Sequence, residues 1–179
     1  MKKKIVLLFA GKAGAGKNTS ADLVGNVYSG SAIKTAQFSF AGSLKAIAKD
    51  MGWDGNKDER GRRLLQQIGA AGRAYDKDVW AKCCLSAIQE SDCDIAMITD
   101  LRFPNEARVI KEAYTDAELI KVFGRGYDLG YNGDDPSEHG FDDVPETYWS
   151  YQLDNSGTLK DLEENVVTML KELMSTTRD

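Results

Sequence analysis

The sequence is poor in the residues that build metal cages and disulfide frameworks. It holds one histidine, His139, and three cysteines, Cys83, Cys84 and Cys93. An odd number of cysteines, two of them adjacent, does not make a disulfide scaffold and lacks zinc spacing, so all three are expected in the core. Surplus basic charge is also missing, since the net charge is −5. An acidic chain has no long-range attraction for a phosphate backbone, which argues against a nucleic-acid partner. Long apolar runs are absent too. Met1 to Ala10 places three lysines before the run Ile5 to Ala10. That run is too short for a secretory segment or a membrane span and reads as a buried strand. Together these absences predict a cytoplasmic protein with no membrane partner.

What is present fits one α/β unit. A chain of 179 residues can bury one sizeable core, so residues 1–179 are expected to form a single domain. Apolar runs alternate with helical patterns, the signature of parallel βαβ units. Strands are predicted at Ile5 to Phe9, Thr35 to Phe40, Ile95 to Thr99, Glu118 to Phe123 and Trp149 to Leu153. Helices are predicted at Lys17 to Tyr28, Gly42 to Met51, Lys57 to Gly72, Asp76 to Glu90 and Pro104 to Tyr114. A last helix starts near Thr158, where Thr158 and Asp161 resemble a capping box. Leu159, Leu162, Val166, Leu170 and Leu173 form its apolar stripe. Gly124 to Tyr148 shows no period and carries five glycines, seven carboxylates and one arginine, Arg125. A stretch of that length reads as a mobile lid, with most of its carboxylates in solvent.

The sharpest signal is Gly11-Lys12-Ala13-Gly14-Ala15-Gly16-Lys17-Asn18-Thr19. It follows an apolar strand and opens a helix, the context of a phosphate-binding loop. Glycines let successive N–H groups turn inward at phosphate oxygens, and the helix N-terminus adds partial positive charge. Lys17 supplies a full charge at the outer phosphates. The common form has Ser or Thr directly after the lysine. Here Asn18 stands there and Thr19 follows, as in nucleoside monophosphate kinases.

Two further groupings stand out. Arg62, Gln66, Gly69 and Arg73 are spaced to share one narrow helix face, with Leu64, Leu65, Ile68 and Ala71 opposite. Two guanidinium forks and an amide suit a ligand carrying both phosphate and base, and a plain solvated face fits the spacing equally well. Asp100 and Arg102 lie at the carboxyl end of a predicted strand, where open α/β sheets bind ligands. An Asp there can hold magnesium or its water, or else satisfy backbone donors. His139 reads as a surface residue. Asn56-Lys57-Asp58-Glu59 hints at a guanine motif, but it lacks the final Asp and a preceding strand.

The ordered set of motifs resembles the bacteriophage-type deoxynucleoside monophosphate kinases. It comprises the Gly11 to Asp22 segment, Phe40-Ala41-Gly42-Ser43-Leu44-Lys45, Arg62 to Gly69, and Tyr75-Asp76 with Trp80. It continues with Asp100-x-Arg102-x-x-x-Glu106, Ser137-Glu138 and Asp154-Asn155-x-Gly157-x-Leu159. The resemblance implies a three-layer P-loop kinase fold, with a central parallel sheet of about five strands flanked by helices. It implies transfer of a phosphoryl group from ATP to a deoxynucleoside monophosphate, with Mg²⁺. Carried over by position, Lys17 and Thr19 would hold donor phosphates and metal, with Asp100 reaching the metal through water. Lys45, Arg62, Gln66, Gly69, Arg73, Trp80, Asp100, Arg102 and Glu106 would line the acceptor site, and Arg125 would reach the transferring phosphate. Partners would be small nucleotides, with a homodimer left open. Between the Lys45 and Arg62 helices the chain lacks much of an insertion that the phage pattern has. The rival readings are another small-molecule kinase, such as one acting on dephospho-coenzyme A, and a non-catalytic nucleotide switch.

Overall fold

In the computed structural model, which describes residues 4–125 and 139–176, the chain builds one five-stranded sheet. The elements run β1 (Ile5–Ala10), α1 (Lys17–Val27), β2 (Thr35–Phe38), α2 (Ala41–Asp50), α3 (Glu59–Tyr75), α4 (Val79–Glu90), β3 (Ile95–Leu101), α5 (Pro104–Ala113), β4 (Glu118–Phe123), β5 (Tyr151–Asp154) and α6 (Leu159–Thr176). The spatial order is β2-β3-β1-β4-β5, and every pair is parallel. The expected α/β architecture is therefore the observed one.

Two cores sandwich this sheet. Alternation along β1 sends Val6, Leu8 and Ala10 to one face and Leu7 and Phe9 to the other. The first face is covered by α4 and α5 through Ala81, Cys84, Ile88, Val109 and Ile110. The second is covered by α1 and α6 through Val24, Leu162, Val166 and Met169. The β1–α1–β2 and β3–α5–β4 connections step in opposite directions along the sheet. Right-handed crossovers then require their helices on opposite faces, as found. Between the carboxyl ends of β1 and β3 the chain reverses direction across the sheet, and that opens a crevice.

One irregularity shapes the crevice. Leu8 pairs with Ile98, but Ala10 pairs with Leu101, so β3 carries an extra residue. Ala96 and Ile98 face the α4–α5 layer, and so does Leu101. Strict alternation would have placed Asp100 there. The bulge at Thr99 and Asp100 returns Leu101 to the core and re-aims Asp100.

The helix ends follow local rules. Pro104 opens α5, and Glu106 accepts the Arg102 and Phe103 amides at 2.9 and 3.0 Å. Asp161 accepts both the Thr158 amide and the Thr158 hydroxyl at 2.7 Å. The apolar stripe of α6 needs one correction. Leu159 is 60% exposed, and Met169 takes its place in the core. Leu159 sits in the first turn of α6.

Residues 126–138, most of the stretch expected to be a lid, lie outside the described residues, as does the Ser137-Glu138 pair. The chain is described again from His139. Phe141, Tyr148 and Trp149 then cluster with ring centroids 5.1–5.8 Å apart and pack on the α4–α5 core. Cys84 and Cys93 are buried and Cys83 partly so, and burial pushes the Cys84 thiol up to about 12. These are packing residues rather than reactive thiols.

Candidate active site

The phosphate loop lies between β1 and α1 at the crevice. Gly14 and Gly16 have φ of +76° and +100°, a region that favours glycine. A side chain at Gly11 would meet the Val122 carbonyl at 2.3 Å, so the loop leaves the sheet pressed against β4. Lys17 Nζ folds back and donates to the carbonyls of Gly11 (2.6 Å) and Lys12 (3.0 Å). Its charge is thereby held over the loop. Asn18 and Thr19 are exposed on the first turn of α1, Ala15 is buried, and Ala13 is partly exposed. Buried Ser20 donates to the Gly16 carbonyl at 3.0 Å and closes that turn.

The opposite wall is the end of β3. Asp100 Oδ1 accepts the Phe40 amide at 2.8 Å, and Oδ2 accepts the Ser39 hydroxyl at 2.9 Å and the Ala41 amide at 3.0 Å. These amides open α2, which has no side-chain cap of its own. Asp100 is thus a helix cap supplied from another strand. Of the two readings the sequence left open for Asp100, metal ligand or acceptor of backbone donors, the described contacts are of the second kind. Arg102 is exposed at the crevice, and the backbone of Gly140 packs directly on its carbonyl.

Glu106 lies at the start of α5. Its carboxylate accepts the two amides that open α5, and desolvation pushes its carboxyl up to about 7, against the pull of those two amides.

The arginine helix is seated by its small residues. A side chain at Gly61 would meet Trp53 Nε1 at 2.7 Å, and one at Gly72 would meet the Trp80 ring at 2.4 Å. Trp80 is buried and donates to the Gly69 carbonyl at 3.2 Å, while Gly69 itself is buried against Leu44. Gly69 and Trp80, expected to line a ligand site, lie where α3 packs on α2 and α4. Ala71, expected inward, is exposed, because the helix turns its glycines toward the two tryptophans. Arg62, Gln66 and Arg73 are exposed along one side of α3, and Lys45 on α2 is partly buried.

A cavity of about 240 Å³ opens over the carboxyl ends of β1, β3 and β4. Lys12, Arg102, Lys121 and Arg125 reach it from different elements, and Phe141 and Trp149 form its apolar side. Two of the cations meet carboxylates. Lys12 lies 3.3 Å from Asp142 and Lys121 lies 2.8 Å from Glu146. His139, exposed as expected, bonds Asp142 at 2.5 Å, and the two partners hold the Asp142 carboxyl below its ordinary value. Arg125 donates to the Gly157 carbonyl. Motif reasoning missed Lys12, Lys121 and the aromatic side, since no spacing rule links them. Charge at the second loop position was the one available signal for Lys12.

For magnesium, the fitting groups are the exposed Thr19 hydroxyl and the lone-pair capacity left on Asp100. Among the described residues no cluster of three His, Cys, Asp or Glu is arranged for a metal, and no helix is long and apolar enough to cross a membrane.

Comparison with solved structures places this architecture. The APS kinase of Mycobacterium tuberculosis in complex with AMPPNP and APS superposes with a TM-score of 0.56 at 13% identity, covering 96% of this chain and 99% of that one. The two chains share a fold. The Thermus thermophilus protein TT1252 gives a TM-score of 0.56 at 16% identity, over 96% of this chain and 99% of its own. In sequence, the chain is 32% identical over 99 residues to the deoxynucleoside-5′-monophosphate kinase of Escherichia phage T5. That match covers 52% of this chain and 38% of the phage protein. No family model matches.

Proposed function

We propose that this protein is an ATP-dependent nucleoside monophosphate kinase acting on deoxynucleoside monophosphates. The observation that carries the reading is one cavity lined by Gly11, Lys12 and Ala15 of the phosphate loop on its β1 side and by Arg102 on its β3 side. Two anionic ligands could meet there. The partial match to the phage enzyme and the shared kinase fold support the same reading.

The chemistry asks little covalent work of the protein. A nucleoside monophosphate is largely a dianion at neutral pH, since its second pKa is about 6, so its oxygen is already nucleophilic. Catalysis then consists of aligning two phosphates in line and neutralising the charge that spreads in the transition state. Lys17 and the loop amides would hold the donor. Arg102, with Arg62 and Gln66 from α3, would hold the acceptor, and Arg125 would approach the transferring group. Magnesium, when bound beside Thr19, supplies charge neutralisation on the donor phosphates. Asp100 would work indirectly, by fixing the start of the helix that carries Lys45. A hydroxyl acceptor would call for a general base, and the commitment of Asp100 to three donors argues against the coenzyme A-type alternative.

The test is a panel of deoxynucleoside and ribonucleoside monophosphates and dephospho-coenzyme A, each incubated with ATP and Mg²⁺. The expected products are ADP and a nucleoside diphosphate. Phosphorylation of dephospho-coenzyme A alone would overturn the proposal.

A further inference from the structure

Asn155 is a buried polar residue at the end of β5 whose work no part of the reaction above uses. Its Nδ2 donates to the Ala15 carbonyl at 2.8 Å, across 140 residues of chain. A carbonyl only accepts, so the amide nitrogen must face the loop. The contact is close enough that a Cβ on Gly16 would sit 2.3 Å from Nδ2.

The direction of that bond matters. In a planar trans peptide the C=O of Ala15 and the N–H of Gly16 point opposite ways. Holding the carbonyl toward Asn155 therefore turns the Gly16 N–H to the other side of the peptide, toward the loop interior. Asn155 is itself fixed, because its own amide donates to the Phe123 carbonyl at 2.8 Å. The Asp154 carbonyl just before it accepts from Asn165 at 3.0 Å. Gly124, at φ +99°, packs on the backbone of Asn155 and Ser156, and Arg125 donates to the Gly157 carbonyl.

We propose that Asn155 is a positioning residue for the phosphate loop, pinning the Ala15 carbonyl outward so that the Gly16 amide is preset for a donor phosphate. The same anchor ties the loop to the segment bearing Arg125. The inference deepens the kinase reading and rests on it for the identity of the ligand.

The test uses the full chain and three proteins: wild type, Asn155→Ala and Asn155→Asp. Direct ADP binding should weaken about tenfold in Asn155→Ala, the scale of a buried acceptor left unpaired. The KM for ATP should rise while the KM for the monophosphate stays within about twofold. In Asn155→Asp the carboxylate faces a carbonyl at pH 8, and burial raises its pKa. Below that pKa the protonated acid can donate again. The affinity gap to wild type should therefore narrow between pH 8 and pH 5.5 for the aspartate variant and stay constant for the alanine variant. Equal rises in both KM values, or an aspartate variant with no pH-dependent recovery, would overturn the assignment. If wild type binds no ADP, the kinase reading fails by itself. The order parameter of the Gly16 amide by NMR then decides the role of Asn155, and it should fall from rigid-backbone values to below about 0.6 in Asn155→Ala. An unchanged order parameter would sink the proposal.

Discussion

Asp100 and Phe40 are bound at 2.8 Å across 60 residues of sequence, carboxylate to backbone amide. The bond makes the end of β3 and the start of α2 one unit. Asp100→Asn should lose stability by about 1–3 kcal/mol, because an amide side chain offers one acceptor oxygen where three donors converge. Urea unfolding measures this. A variant as stable as wild type but inactive would restore the direct metal role that the sequence suggested.

Lys17 is held over the loop by two carbonyls. Lys17→Ala should cut turnover at least about 100-fold, the scale of one preorganised charged donor, with Tm little changed. Steady-state kinetics and thermal melts check both halves.

Arg102 stands on the β3 side of the crevice. Arg102→Ala should raise the KM for the monophosphate about 10- to 100-fold and leave the KM for ATP nearly unchanged, as expected for lost charge-assisted phosphate bonds. Equal losses for both nucleotides would place Arg102 elsewhere in the site.

Much of this layout is readable in sequence, and the unreadable part has a common cause. The β1 run, the Gly11 to Thr19 loop, Pro104 at the start of α5 and the Thr158–Asp161 pair are local signals, set within a few residues by periodicity and capping rules. The Asp100 cap on α2, the Asn155 bond to Ala15, and the seating of Trp53 and Trp80 on Gly61 and Gly72 join distant segments. Spacing along the chain carries no trace of them. Gly69 shows the hazard. Helical counting places it correctly beside Arg62 and Gln66 but cannot tell a ligand from the side chain of Leu44.

Glu106 gives a pH signature. Its carboxyl titrates at about 7 when folded, against an ordinary value of 4.5. Between those values the folded state binds a proton that the unfolded state has released. Its contribution to stability is therefore complete below the ordinary value and is lost as pH rises through about 7. Glu106→Gln keeps an acceptor and removes the titration. Relative to wild type, the variant should gain stability as pH climbs from 5 to 8, by on the order of 1–3 kcal/mol. Parallel melting curves across that range would contradict it.

Asp142 places a carboxylate on Lys12 of the phosphate loop, at a cavity that would receive phosphate. Asp142→Asn should tighten ATP binding about two- to fivefold at low salt, and less at high salt, as suits an exposed charge. Calorimetry at two ionic strengths distinguishes this from a packing effect.

The additional residue in β3 has an evolutionary corollary. A chain one residue shorter between Ile98 and Leu101 would conserve all of its motifs and helices. Its strand would pair regularly, with Leu101 still opposite Ala10 in the core, but the single residue left between Ile98 and Leu101 would turn to the other layer, withdrawing Asp100 from α2. Point substitutions there can be graded, but a deletion re-aims the carboxylate in one step. In this segment, length is the heritable property most costly to change.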